Sequence, residues 1–129
     1  MRERAASGGR QAFMFTLIPE PHEDVLILRL TGDVRVTDAV EFNRQMDGHL
    51  ASPKVRQIVL DMSKTGKIDR TCLGVLVSLN TILQGQGRRI VLLAPAPHVQ
   101  QVLQAAEVEG FFPIYESEEE FQGYILLKN

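Results

Sequence analysis

Hydrophobic positions along the chain follow two rhythms. Val25 to Leu30, Ile58 to Leu60 and Ile90 to Leu93 are short, nearly continuous apolar runs, the pattern of strands covered on both faces. Between them, apolar residues recur at helical spacing. Ala39, Phe42, Met46 and Leu50 form one stripe, with Thr37 or Asp38 as its cap and Pro53 beyond its end. A second helix is predicted from about Thr71 to Gln84, stopped by Gly85 and Gly87. A third starts at Pro97 and carries Val99, Val102, Leu103 and Ala106.

The ends of the chain add three elements. Phe13 to Ile18 alternates and is β-prone, and Pro19-Glu20-Pro21-His22-Glu23-Asp24 is expected to break it. The short polar turn makes this strand the antiparallel neighbour of Val25 to Leu30, which Thr31-Gly32-Asp33 should end. A further strand is expected after the loop Met62 to Asp69 and its helix, at Arg89 to Ala94, and a short last one at Phe111 to Tyr115. Ser117 and Glu120 then have capping-box spacing before a final helix. The order is ββαβαβαβα, which implies a single α/β domain with a mostly parallel mixed sheet backed by amphipathic helices. Residues 13–129 are assigned to that domain, and residues 1–12, with Arg2, Arg4, Arg10 and Ser7-Gly8-Gly9, to a flexible N-terminal tail.

Composition narrows the function. Fourteen basic and 16 acidic side chains give a net charge of −2, which argues against direct nucleic-acid binding. Cys72 is alone, so an intrachain disulfide and a thiolate metal cluster are both excluded. No apolar run approaches the roughly 20 residues of a membrane span, and no secretory leader is seen. A cytoplasmic protein without membrane insertion is expected. His22, His49 and His98 lack ligand spacing. Thr65-Gly66-Lys67 is no phosphate loop, because Asp61 stands where its first glycine belongs. No metal, cofactor or catalytic site is assigned.

Chemistry concentrates between Ile58 and Ser78. A buried strand ends in Asp61-Met62-Ser63, and Ile68-Asp69-Arg70-Thr71-Cys72-Leu73-Gly74 opens a helix. Carboxyl ends of strands gather functional groups in such folds, and a helix N-terminus there favours an anion.

Val25-Leu26-Ile27-Leu28-Arg29-Leu30-Thr31-Gly32, Ile58-Val59-Leu60-Asp61-Met62-Ser63 before Ile68-Asp69 and Leu73-Gly74-Val75, and Val108-Glu109-Gly110-Phe111 to Tyr115-Glu116-Ser117-Glu118-Glu119 together resemble the STAS family, over about residues 13 to 127. The resemblance is to bacterial anti-sigma factor antagonists. It implies partner switching: an unphosphorylated antagonist binds an anti-sigma factor that is also a serine kinase, or a regulatory scaffold protein, and phosphorylation of a serine breaks the complex. Separately, an exposed apolar stripe would permit a homodimer. Two positions depart from the family pattern. Arg70 stands where the phosphoacceptor serine is expected, and Arg35 replaces a common acid three residues after Gly32.

Several residues carry two readings. Arg35 and Arg70, brought to one end of the sheet, either bind an anionic group or are independent solvated side chains. Thr71 is a relocated phosphosite or a helix cap, and Cys72 a redox-sensing thiol or a small buried side chain. Asp61 and Asp69 read as a carboxylate pair or as turn and cap residues, and Ser63 as a loop hydroxyl. On the second helix Leu73, Leu76, Val77 and Leu83 form one stripe, while Val75, Leu79 and Ile82 form another that either packs on a neighbouring helix or docks a partner. The expected partner surface therefore comprises Asp33, Arg35, Asp69, Arg70, Thr71, Cys72, Val75, Leu79 and Ile82. The alternative is a ligand-sensing or transporter-associated module that binds an anion, a nucleotide or a lipid-linked cargo.

Overall fold

The computed structural model of the chain describes residues 13–122. β1 (Phe15–His22) and β2 (Val25–Val34) form an antiparallel hairpin. A 3₁₀ turn (Val36–Asp38) leads into α1 (Ala39–Leu50), followed by β3 (Gln57–Ile68), α2 (Arg70–Gln84), β4 (Arg89–Leu93) and α3 (Pro97–Ala105). After a second 3₁₀ turn (Glu109–Phe111) come β5 (Ile114–Tyr115) and a helix, α4, described over residues 118–122. The strands lie side by side in chain order, β2 to β5 mutually parallel, in agreement with the predicted α/β order.

Alternation along the strands divides the core in two. Leu28, Leu30, Ile58, Leu60, Met62, Ile90 and Leu92 point to an inner face, where they meet Phe42 and Met46 of α1, Leu73 and Leu76 of α2, and Val99 and Leu103 of α3. Each such side chain contributes about 1.5–3 kcal/mol on full burial. Val25, Ile27, Val59, Val91 and Leu93 point to the outer face against Phe121 of α4. The stripes expected on α1 and α3 are the buried ones.

Four boundaries differ from the sequence expectation. Pro19 and Pro21 do not end β1, which continues to His22. They are two residues apart, so both missing N–H groups fall on one side of the strand, and β1 is an edge strand whose outer side needs no donors. The hairpin instead turns at Glu23, which holds φ +56°. Thr31-Gly32-Asp33 does not stop β2, and residues 62–68 are strand rather than loop. β3 carries two irregularities there, each adding a residue relative to β2. Side chains satisfy the displaced backbone: Asp61 Oδ1 accepts from Ser63 N–H at 3.0 Å, Asp33 Oδ1 from Lys67 N–H at 2.8 Å, and Thr65 Oγ1 donates to Leu30 O at 3.0 Å. A Cβ on Gly66 would collide with the Asp33 carboxylate, so a larger residue there would displace the side chain that accepts from Lys67 N–H. Finally, the strand expected over Phe111 to Tyr115 is only Ile114–Tyr115, because Phe111 closes the preceding 3₁₀ turn. Asn80 holds that turn: its Nδ2 donates to Phe111 O at 3.0 Å and its Oδ1 accepts from Ile90 N–H at 2.9 Å.

Arg29 interrupts the apolar run of β2 and organises the outer face. Its guanidinium reaches Glu20 on β1 at 3.0 Å, Asp61 on β3 at 2.9 Å and Glu118 on α4 at 2.8 Å. This fixes the start of α4 over three strands. Arg29 and His22 hold the Glu20 carboxyl down at about 2. Ser117 Oγ accepts from Glu120 N–H at 3.1 Å, as its spacing predicts, while the Glu120 carboxylate accepts from Glu116 N–H at 3.0 Å. The tail assigned to residues 1–12 lies outside the described residues.

Candidate functional site

β2 and β3 end beside each other, and Asp69 N–H donates to Val34 O at 2.9 Å. The segments after them, Arg35–Asp38 and Asp69–Cys72, therefore form one surface at the carboxyl end of the sheet.

Asp69 is the N-cap of α2. Its backbone is extended (φ −76°, ψ 149°), and its carboxylate accepts from Thr71 N–H at 2.8 Å. That role belongs to Asp69 and not to the Thr71 hydroxyl, which is exposed in the first turn. A carboxylate here also meets the positive end of the helix. Arg70, the first residue of α2, would be poorly placed if its charge stayed at that end. Its guanidinium extends instead to Ala105 O at 3.4 Å, the last residue of α3, where a cation is favoured.

Arg35 turns another way. Its Nε and terminal nitrogen donate to the two oxygens of Asp38 at 2.9 and 3.0 Å, and its backbone N–H adds a bond of 3.0 Å. Asp38 is almost fully buried, and the guanidinium beside it holds its carboxyl below the usual range. Asp38 thus locks the 3₁₀ turn rather than capping α1 through its side chain. The Arg35 and Arg70 segments lie side by side, but each guanidinium has a partner in a different direction. Asp33 likewise serves the β3 backbone.

Cys72 is completely buried. Its thiol lies 3.5 Å from Arg35 O and 3.9 Å from Val34 O. Burial first, then the nearby Asp69 and Asp38 carboxylates, push its pKa up to about 11, the reverse of an activated thiol. Asp61 and Asp69 are engaged separately, in the Arg29 network and in the cap. Among the described residues, no three His, Cys, Asp or Glu side chains form a group able to hold a metal. His98 Nε2 lies 3.0 Å from both Thr65 O and Gly66 O, so it ties α3 to the end of β3.

The stripe expected to dock a partner divides. Leu79 is 7% exposed and belongs to the inner core, Val75 is half-buried, and Ile82 is 59% exposed but sits near the far end of α2. Two apolar residues absent from the sequence expectation complete the surface: Val36 (56% exposed) and Val40 (85% exposed). Their signal was available. Val40 lies two residues from Phe42, about 200° around the helix and off the buried stripe. The Cys72–Arg35 contact sets this segment against the first turn of α2.

Comparison with known proteins gives consistent results. The family model described as "STAS domain" matches residues 17–121. The anti-sigma F factor antagonist of Paenibacillus polymyxa is 26% identical over 99 residues, covering 77% of this chain and 85% of that protein. Among solved structures, the anti-sigma factor antagonist SpoIIAA in its unphosphorylated form superposes with a TM-score of 0.70 at 19% identity, covering 87% of this chain and 96% of that one. An anti-sigma factor antagonist from Mycobacterium paratuberculosis gives 0.74 at 16% identity, covering 89% and 95%. The murine anion transporter Slc26a9 contains a similar fold (TM-score 0.73, 14% identity), covering 84% of this chain but 18% of the transporter chain. At these identities the structural likeness establishes the fold.

Proposed function

Since the chain belongs to the STAS domain family, we propose that it is a cytoplasmic protein-binding regulator, an anti-sigma factor antagonist working by partner switching. The observation that carries this reading is the carboxyl-end surface. The Arg35, Asp38 and Asp69 side chains there are bonded within the chain, while Val36 and Val40 stand exposed beside the capped start of α2. Such a surface loses little solvation when another protein covers it, and exposed apolar side chains gain on burial. The antagonist relative points to an anti-sigma factor as the partner, and the family resemblance extends this to one with serine-kinase activity or to a scaffold that takes its place. Binding rather than catalysis fits a thiol held protonated and carboxylates committed to backbone and arginine.

Arg70 occupies the expected acceptor position, so regulation by phosphate falls to Thr71. Its exposed hydroxyl is accessible to a kinase, and a phosphate there would lie at the positive end of α2. Roughly two negative charges in the interface would then oppose docking.

The test is an affinity pull-down of the tagged chain from its native host, with Val40→Asp and Thr71→Glu in parallel. Co-purification of a GHKL-type kinase or a sigma-regulatory scaffold, lost with both variants, is the expected result. Retention of the same partner by Val40→Asp would remove this surface. Retention by Thr71→Glu would remove the switch. A ligand-sensing role is favoured by a different observation, at the opposite end of the sheet.

A further inference from the structure

The amino ends of β2, β3 and β4 border a cavity of about 890 Å³. Val25 and Ile27 give it an apolar wall, and Arg56, Arg88 and Arg89 line it together with Glu23 and Asp24 at the hairpin turn. Arg88 is 8% exposed, and its donors meet neutral oxygens: Val55 O at 2.7 Å, Leu50 O at 2.8 Å, Ser52 O at 3.0 Å and Gln86 Oε1 at 2.9 Å. Its positive charge is therefore held in place without a carboxylate beside it. Arg56 is exposed and forms no ion pair among the described residues. Between them stands Gln57, at 8% exposure, whose Nε2 has no acceptor among the described residues. A buried amide donor without a partner is costly, and a rotation of the Gln57 side chain, which lines the cavity, would carry that donor to an acceptor there.

We propose that this cavity is a binding site for a small organic anion. Arg56 meets its phosphate or carboxylate at the rim, the fixed charge of Arg88 makes the potential behind it more positive, and the Gln57 amide rotates to donate to an acceptor on the ligand. The size lies within the range of small-molecule sites. The site is at the opposite end of the sheet from the proposed partner surface, so it stands or falls separately from that reading.

The full chain is titrated with inorganic phosphate, citrate and ATP while backbone amide shifts are followed by NMR. A saturable set of shifts at residues 24–27, 56–57 and 88–90, leaving residues 69–75 unmoved, is expected. Saturation by ATP or phosphate identifies a phosphate-bearing ligand, and saturation by citrate alone a carboxylate. Arg56→Ala is expected to weaken the dissociation constant about tenfold without changing the melting temperature. Gln57→Leu separates recognition from packing: it should melt no lower than the parent chain, since it removes an unpaired donor, and still lose affinity. Three results would overturn the proposal: no saturable shift at these residues with any probe, unchanged affinity in Arg56→Ala, or a Gln57→Leu protein that melts lower and binds as before.

Discussion

The two ends of the sheet handle charge in opposite ways. At the carboxyl end, Asp38 takes the Arg35 fork, Asp69 caps α2 and Asp33 accepts from the β3 backbone, so each of these acids has a donor within the fold. At the amino end, Arg88 donates to carbonyl and amide oxygens, and the Gln57 amide keeps an unused donor. The first arrangement makes a rigid, internally satisfied surface, suited to shape and apolar contact with another protein. The second leaves electrostatic and hydrogen-bonding capacity for something small. Position along the strands alone would not have separated them, because both ends carry arginines and acids. Where each donor finds its acceptor does.

Arg88→Ala should have the largest effect. It strips the donors from Leu50 O, Ser52 O and Val55 O at the end of α1, and a loss of about 3 kcal/mol is expected in urea denaturation. A loss below about 1 kcal/mol would mean that Arg88 is held for its charge alone. Asp69→Ala removes one cap, so its cost should be about 1 kcal/mol by the same measurement.

Acid provides a graded test of the paired carboxylates. Arg29 and His22 depress Glu20 to about 2, and Arg44 with Gln45 depresses Glu41 to about 2. The unfolded chain takes up these protons first, near 4.5, so the stabilisation is present above that pH and is lost as pH falls toward about 2. Melting temperature should decline across that window, and Glu20→Gln should flatten the decline. The smallest effects belong to Cys72 and Val40. Folded protein should resist thiol labelling near neutral pH, with reactivity appearing on denaturation, because burial keeps Cys72 protonated. Val40→Asp should leave stability within about 0.5 kcal/mol, as expected for an exposed position.

Much of the fold could be read from the chain because burial writes itself into spacing. Phe42, Met46 and Leu50 share a face, and Ile58, Val59 and Leu60 fill both sides of a strand. Strand ends were less legible. Thr31-Gly32-Asp33 and Ser63 to Lys67 have loop composition, yet they pair as irregular strand because Asp61, Asp33 and Thr65 supply local bonds. Side-chain direction at the site was hidden for a similar reason. Sequence brings Arg35 and Arg70 to one end, but their partners, Asp38 and Ala105 O, are chosen by tertiary geometry. Leu79 shows the limit of helical spacing alone: it shares a stripe with Ile82 yet belongs to the core. Substituting Leu79 by aspartate would therefore disturb the fold, whatever happens at the partner surface. Gln57 and Arg88 gave no local signal, since an unpaired amide is recognised only when its surroundings are known.

The two prolines of β1 bear on how copies of this protein meet. An open strand edge is a template on which like chains can polymerise, rung by rung. Among the described residues, one margin of the sheet lacks two rungs, at Pro19 and Pro21, and the other margin is a strand of two residues. Crowded copies are thus denied a ready route to continuous-sheet fibres, and a pair that associates has helical faces on which to do it.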